Sequence, residues 1–549
     1  MRGINRRQFL QSSAALGLAS LLPACRELSH YGIAIKVYLP GVQMGHLLRG
    51  NTPMPAPKYE RKVKVAILGS GVAGSFAAWR LKKSGEFAAD EVVIVTGPER
   101  FGNAAAGVMN GLLYPQGAHY LPLPSIASVH VRELLFDMGV IEADPFGEQP
   151  TYNERVIVHS PEDRLWRSGQ WQEGVVPHTG LSADEQAQQQ RFFAQMQSFQ
   201  QASGADGRKA FCIPIALSSQ DAQWRQLDQI TFATWLAQNG YTAPSLLWYL
   251  DYACRDDYGI GIKDTSAWAG LHYFAARGGE ASNASAGAVL TWPSGLNPIL
   301  QHLQQGQTLI DGMAVKISEH EQNVHVDVLH NGEVTRLIAE HVICAMPLHV
   351  AAKIIDLPHY GFEPTKHLAP HAAWQVSNFL LKRHPAEAQS HEPHAMPLAW
   401  DNVVYGSHSL GYINSTHQLI RAARPEQTVF TAYHAFSNEA PAAVRARLEH
   451  ASAAELYQTA IGDLATVYGW DNPLTAQRHI AQVEITLRGH AMASPIAGFL
   501  SNPGVAALQK QSGRLLFAHS DLSGLSVFEE ASWWGDVAAQ KILAQGQQA

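Results

Sequence analysis

The residues best placed to do chemistry are Gly69, Gly71 and Gly74, spaced Gly-x-Gly-x-x-Gly between an apolar run and a helical pattern. Gly69 permits a tight turn, Gly71 lets the backbone approach a pyrophosphate, and Gly74 lets the helix pack close to the strand. A phosphate there would meet unpaired N–H groups and the positive end of a helix dipole. Glu91-Val-Val-Ile-Val95 follows as a second strand and completes a βαβ unit, the context in which this turn binds dinucleotides. An acid is expected at the end of that strand to bind ribose hydroxyls. Thr96 stands there instead, and the nearest downstream carboxylate is Glu99.

A second group is Arg488-Gly489-His490. Histidine titrates near neutral pH, so His490 is a candidate proton acceptor, and the planar fork of Arg488 suits a carboxylate or phosphate. The competing readings are a packed or surface histidine and a salt bridge. Tyr412, near Trp400-Asp401-Asn402 and Tyr405, either lines a pocket or packs in a sheet. Gly117-Ala-His119-Tyr120 is a place where a ring system could rest. His384, His391 and His394 share a loop without HExxH spacing, and no metal centre is expected.

These groups need a large scaffold. The chain has 549 residues, 46% hydrophobic and 16% charged, which points to two or three interleaved globular domains. A net charge of -7 gives no reason to expect a nucleic-acid partner. Cys212, Cys254 and Cys344 show no CxxC spacing, so a disulfide framework is not expected. Residues 26–62 read as a connector with an extended, proline-marked end. The Gln-rich stretch 180–209 reads as a surface helix pair, with Phe192, Phe193, Met196 and Phe199 as a packing stripe. Short strands are expected over 308–310, 314–318, 324–329, 333–338 and 341–345, with a hairpin turn at Asn331-Gly332, together forming an antiparallel meander. A last strand enters Asp521, and a closing helix runs over 530–544.

At the N-terminus, Arg6-Arg7-Gln-Phe9-Leu10 before a mild apolar run resembles a twin-arginine export signal, which implies export of a folded, cofactor-loaded protein to the periplasm or cell envelope. Leu22-Pro-Ala-Cys25 resembles a lipobox. Cys25 would then carry a lipid anchor, the one membrane attachment expected; Ala24 equally suits a soluble cleavage site.

Together the glycine turn, Trp292-Pro-Ser-Gly295 to Val315-Lys-Ile317, Val342-Ile-Cys-Ala-Met-Pro347, and Leu516-Phe-Ala518 to Ala531-Ser-Trp-Trp-Gly535 resemble the flavin-containing amine oxidase superfamily, which includes protoporphyrinogen oxidases and phytoene-type desaturases. The resemblance implies an α/β fold: a Rossmann-like FAD-binding domain in pieces 63–150, 290–350 and 499–549, interleaved with a mixed α+β substrate or cap domain in 151–289 and 351–498. It implies FAD with its pyrophosphate at Gly69, Gly71 and Gly74, its adenine beside Val315, and Asp521 near its ribityl and flavin carbonyls, while Thr96 and Glu99 occupy the ribose end. Residues facing the flavin would include Arg488 and His490. The reaction implied is oxidation of an amine, with electrons passed to oxygen or an envelope carrier; the alternatives are a lipid desaturase or isomerase and a non-catalytic binding protein. Gly102-Asn103 departs from the family's double glycine and arginine. Trp533-Trp534 replaces small residues, as a substrate wall or as core.

Overall fold

A computed structural model describes residues 25–50, 53–385, 396–423 and 425–546. The twin-arginine stretch, Ala24, His391 and His394 lie outside the described residues.

The strand Tyr59–Leu68 anchors a seven-stranded sheet. On one side it pairs in parallel with Val92–Val95, which pairs in parallel with Thr308–Ile310. On the other it pairs in parallel with Glu333–Cys344. Val65 to Leu68 and Val92 to Val95 are buried, as expected of parallel strands covered on both faces. The helix Val72–Ser84 follows the glycine turn and ends at Gly85, whose φ of 74° closes it. It packs against the closing helix Phe528–Gly546, where a Cβ on Gly535 would lie 2.3 Å from the Ala73 carbonyl oxygen.

The expected meander is present with two differences. Residues 333–338 and 341–345 form one strand, Glu333–Cys344, whose first part pairs with Val324–His330 and whose end pairs in parallel with Leu515–Phe517. Thr308–Ile310 belongs to the parallel edge rather than to the meander.

A second sheet has nine strands and is built around Ile480–Ala493, His371–Leu381 and Thr428–Ala435. Its far edge carries Asp401–Val404 and Asp163–Arg167, paired in parallel. Its near edge corrects the reading of 26–62 as a connector. Cys25–His30 and Ile33–Tyr38 form a hairpin that pairs in parallel with Ile480–Ala493, and Val42–Arg49 is a helix. The alternation of Ile33, Ile35 and Val37, each buried, with more exposed residues is what commits this short segment to the sheet.

A group of helices lies between residues 183 and 275, and Tyr252 of the helix Pro244–Tyr258 packs with Trp374, Trp400 and Val403 of the second sheet. Ala183–Gln201 is one helix opened by a Ser182/Glu185 capping box, and Phe192 and Met196 pack against Trp235, Leu246 and Leu271.

Candidate cofactor cradle and substrate pocket

The three glycines do different work. Gly69 has φ 109°, and a Cβ there would lie 2.8 Å from the Ala345 carbonyl oxygen; at Gly74 it would lie 1.9 Å from the Gly69 oxygen. The fold itself demands both. Gly71 has φ -70° and an added Cβ would meet nothing within 4 Å, so its side faces open space at the start of Val72–Ser84. That helix begins without a side-chain cap, leaving its first N–H groups for an anion. The cradle fits a pyrophosphate.

The adenosine end is built differently. Thr96 is buried, its hydroxyl donates to the Gly97 carbonyl at 3.3 Å, and its own carbonyl accepts from Ser70 Oγ at 2.8 Å. Glu99 is bound by Arg488, whose two terminal nitrogens donate to its two oxygens at 2.8 and 2.9 Å. Val315 is 7% exposed and clusters with Met313, Leu329 and Val334 beneath Met44, Leu47 and Leu48 of the N-terminal helix. The valine assigned to the adenine is therefore covered by this chain's own residues. Asp521 is also turned inward: one carboxylate oxygen accepts from the Leu348 N–H at 2.9 Å and the other faces His371 Nε2 at 3.1 Å. Burial opposes its ionisation, yet His519 and His371 hold it well below the usual carboxylate range.

Arg488 and His490 part company. Besides Glu99, Arg488 donates to the Gln116 carbonyl at 3.0 Å and to Asn103 Oδ1 at 3.1 Å, so its fork is spent on the protein. His490 stacks on His349, ring centroids 4.2 Å apart, and burial, with Arg445 and His371 adding repulsion, pushes its pKa down to about 4. Tyr412 is a correction. It is fully buried, stacks on Phe430 at 4.9 Å, and its hydroxyl meets that of Tyr468 at 2.9 Å within an apolar cluster containing Phe379 and Leu398. Trp534 packs in the nucleotide-fold core and donates to Ser523 Oγ at 2.7 Å; Trp533 packs on the same core.

A cluster of aromatic and acidic side chains forms instead beside Gly117-Ala-His119-Tyr120. His119 stacks on Tyr433 at 4.5 Å, Trp400 lies 5.6 Å from His119 and 6.2 Å from Tyr120, and the Tyr433 hydroxyl donates to the Gly117 carbonyl at 3.0 Å. Asp256 accepts from the Tyr120 hydroxyl at 3.3 Å. Burial and Asp257 push Asp256 up to about 7, and burial with Glu162 and Glu173 pushes Asp163 up to about 6. Burial, then the nearby Asp163 and Asp256, raise Asp401 well above its ordinary value. All three are half-buried, and none forms an ion pair with a described cation. The nearby Arg277 is bound to Asp257. Gln116 and Gly117 join this cluster to the Arg488–Glu99 pair.

No protein-family profile and no curated protein sequence matches the chain. Solved structures do. A putrescine oxidase, bound to putrescine, superposes with a TM-score of 0.62 at 16% identity, covering 88% of this chain and 100% of the other. Cyclohexylamine oxidase from Brevibacterium oxydans IH-35A gives 0.60 at 15% identity, with 89% and 100% covered. A fatty acid isomerase from P. acnes that produces CLA gives 0.56 at 16%, with 87% and 98% covered. The chain shares their fold.

Within this fold the structure groups Gly71 and the start of its helix in one place, Glu99 with Arg488 in a second, and His490 with Asp521 in a third. Sequence reasoning missed Asp256 and Asp163. Asp256 sits in Arg-Asp-Asp-Tyr on the helix Pro244–Tyr258, where an acidic residue has the look of a solvated face. Its one available signal was proximity in type, not in sequence, to Trp400-Asp401 and His119-Tyr120.

Proposed function

We propose that the protein is an FAD-dependent oxidoreductase that oxidises a C–N bond of a small, cationic amine. The observation that carries this reading is the set of half-buried carboxylates, Asp163, Asp256 and Asp401, with no ion-pair partner among the described residues and walled by Trp400, Tyr433 and His119. Unpaired carboxylates in a desolvated pocket favour a cation, and aromatic faces add cation–π attraction. The apolar chain of a lipid offers those carboxyl groups neither a charge nor a hydrogen bond, which ranks desaturation or isomerisation of a lipid below amine oxidation. Two of the neighbours of this fold are amine oxidases, and one of these was solved with putrescine.

In this reading Gly71 and the first N–H groups of Val72–Ser84 hold the FAD pyrophosphate, and bound FAD supplies the hydride acceptor. The chain's own residues bind and orient the amine. Asp256, poised at about 7, takes a proton from the incoming ammonium so that the nitrogen lone pair is free. Trp400 and Tyr433 exclude water. Electrons leave to oxygen or to an envelope carrier. The protein is exported by the twin-arginine route, and Cys25, exposed at the start of the first hairpin, is the position for a lipid.

A second reading, a non-catalytic member of the fold, draws on the cover over Val315 and the commitment of Glu99 to Arg488. One experiment separates these readings. The purified protein should carry one flavin per chain, and its band should bleach anaerobically with a diamine. Bleaching by fatty acids but no amine would favour the lipid reading. Absence of flavin after reconstitution with FAD would favour the non-catalytic one.

A further inference from the structure

We propose that His349, His371 and Asp521 form a binding site for a divalent transition metal of the zinc class, which clamps the two sheets together. The three offer one ligand atom each, and these atoms all lie within 4.8 Å of one another. His371 and Asp521 are buried, at 7% and 4% exposure. Metal bonds of about 2.0 Å place neighbouring ligand atoms of a tetrahedral site roughly 3.3 Å apart. The His371 Nε2 to Asp521 oxygen separation is 3.1 Å.

Hydrogen-bond accounting calls for a positive charge here, either a second proton on His371 or a bound cation. His371 Nδ1 lies 3.0 Å from the Ala369 carbonyl oxygen, which can only accept, so Nδ1 carries the proton. Nε2 then directs its lone pair at a carboxylate, unless a second proton or a metal lies between. An Nδ1–H bound to a carbonyl is also the usual outer support of a histidine that ligates through Nε2. The second Asp521 oxygen is fixed by the Leu348 N–H at 2.9 Å, which orients the carboxylate. His349 supplies the independent sign. Its Nδ1 is buried and has no hydrogen-bond partner, a cost that a bound cation would remove.

The surroundings support a three-ligand site. The ring of His490 lies flat on His349 at 4.2 Å and fixes its plane. Arg445, a nearby fixed cation, spends its Nη1 on the His371 and Gly489 carbonyls, each at 3.3 Å. Two imidazoles and one carboxylate are a donor set for zinc, cobalt or iron rather than for magnesium or calcium. Three protein ligands leave a fourth position for water. His349 follows the strand Glu333–Cys344 and Asp521 follows Leu515–Phe517, both of the nucleotide-fold sheet, whereas His371 opens the strand His371–Leu381 of the second sheet. A metal at this point therefore ties the C-terminal ends of two parallel strands to the neighbouring sheet.

The test uses the untagged full chain, stripped with a chelator and titrated with Co2+. The expected result is one Co2+ retained per chain by elemental analysis after gel filtration, the visible d–d band of tetrahedral cobalt, and a thermal midpoint that rises with Co2+. His349→Ala should fold and bind Co2+ more weakly by more than about tenfold. His349→Gln serves if the alanine variant does not fold. Failure of the wild-type chain to retain Co2+ would overturn the proposal, as would an unchanged affinity in a folded His349 variant. Neither outcome depends on whether flavin is bound.

Discussion

Arg488 grips Glu99 with both terminal nitrogens, at 2.8 and 2.9 Å, and so joins a loop of the nucleotide fold to the strand Ile480–Ala493 of the second sheet. The Arg488 side chain is 6% exposed and that of Glu99 23%. The residue expected to hold a substrate anion and the residue nearest to a ribose ligand thus hold each other.

Breaking this pair from one side should be costly. Arg488→Leu leaves Glu99 with an uncompensated charge and is expected to destabilise the protein by about 3 kcal/mol, with a smaller loss for Glu99→Gln. In urea unfolding, the double variant Arg488→Leu/Glu99→Gln should lose less than the sum of the two single changes. Strict additivity would show that the pair is not coupled.

Gly71 and Gly74 should separate ligand binding from folding. The Cβ that Gly71→Val adds meets no protein atom within 4 Å and φ stays allowed, so the protein should fold with near wild-type circular dichroism while failing to retain FAD. Gly74→Val drives a side chain into the Gly69 carbonyl and should unfold the glycine turn. Full flavin stoichiometry in folded Gly71→Val would remove the cradle assignment.

The carboxylate cluster sets a pH dependence with a definite sign. Asp256 and Asp163 hold their protons to about 7 and about 6, whereas the unfolded chain releases them near the ordinary aspartate value of 3.8. Without ligand, these groups therefore contribute falling stability as pH rises from about 4 to about 7, because the unfolded state binds fewer protons. A diamine should reverse this, since it favours the ionised pocket. The rise in thermal midpoint produced by a fixed diamine concentration should grow between about pH 5.5 and about pH 8, and Asp256→Asn should flatten it. A flat wild-type profile would argue against the pocket.

Tyr412→Phe should leave flavin reduction unchanged. Its hydroxyl lies against Tyr468 inside an apolar cluster, so the expected loss is about 1 kcal/mol of stability. A large fall in kcat at unchanged stability would return Tyr412 to the pocket.

Export rests on the paired arginines. Arg6→Lys with Arg7→Lys should leave a folded precursor in the cytoplasm, measured by fractionation. Unchanged export would show that another segment carries the address.

The sequence by itself determined the local, periodic parts of this protein. The glycine spacing, the buried runs at Val65 to Leu68 and Val92 to Val95, the Asn331-Gly332 turn and the closing helix are set within windows of a few residues, because turn sterics and strand or helix periods act over that range. Tertiary structure alone decided which charges meet. His371 and Asp521 are 150 positions apart, Glu99 and Arg488 are 389, and Tyr120 and Asp256 are 136. No periodicity links such pairs. The same distance hid the placement of Met44, Leu47 and Leu48 over Val315, since an amphipathic segment carries in its pattern the need for an apolar surface but not the identity of that surface. Burial then turns Asp256 from an ordinary acid into a group that exchanges its proton near neutrality, a property of the space around it rather than of its place in the chain.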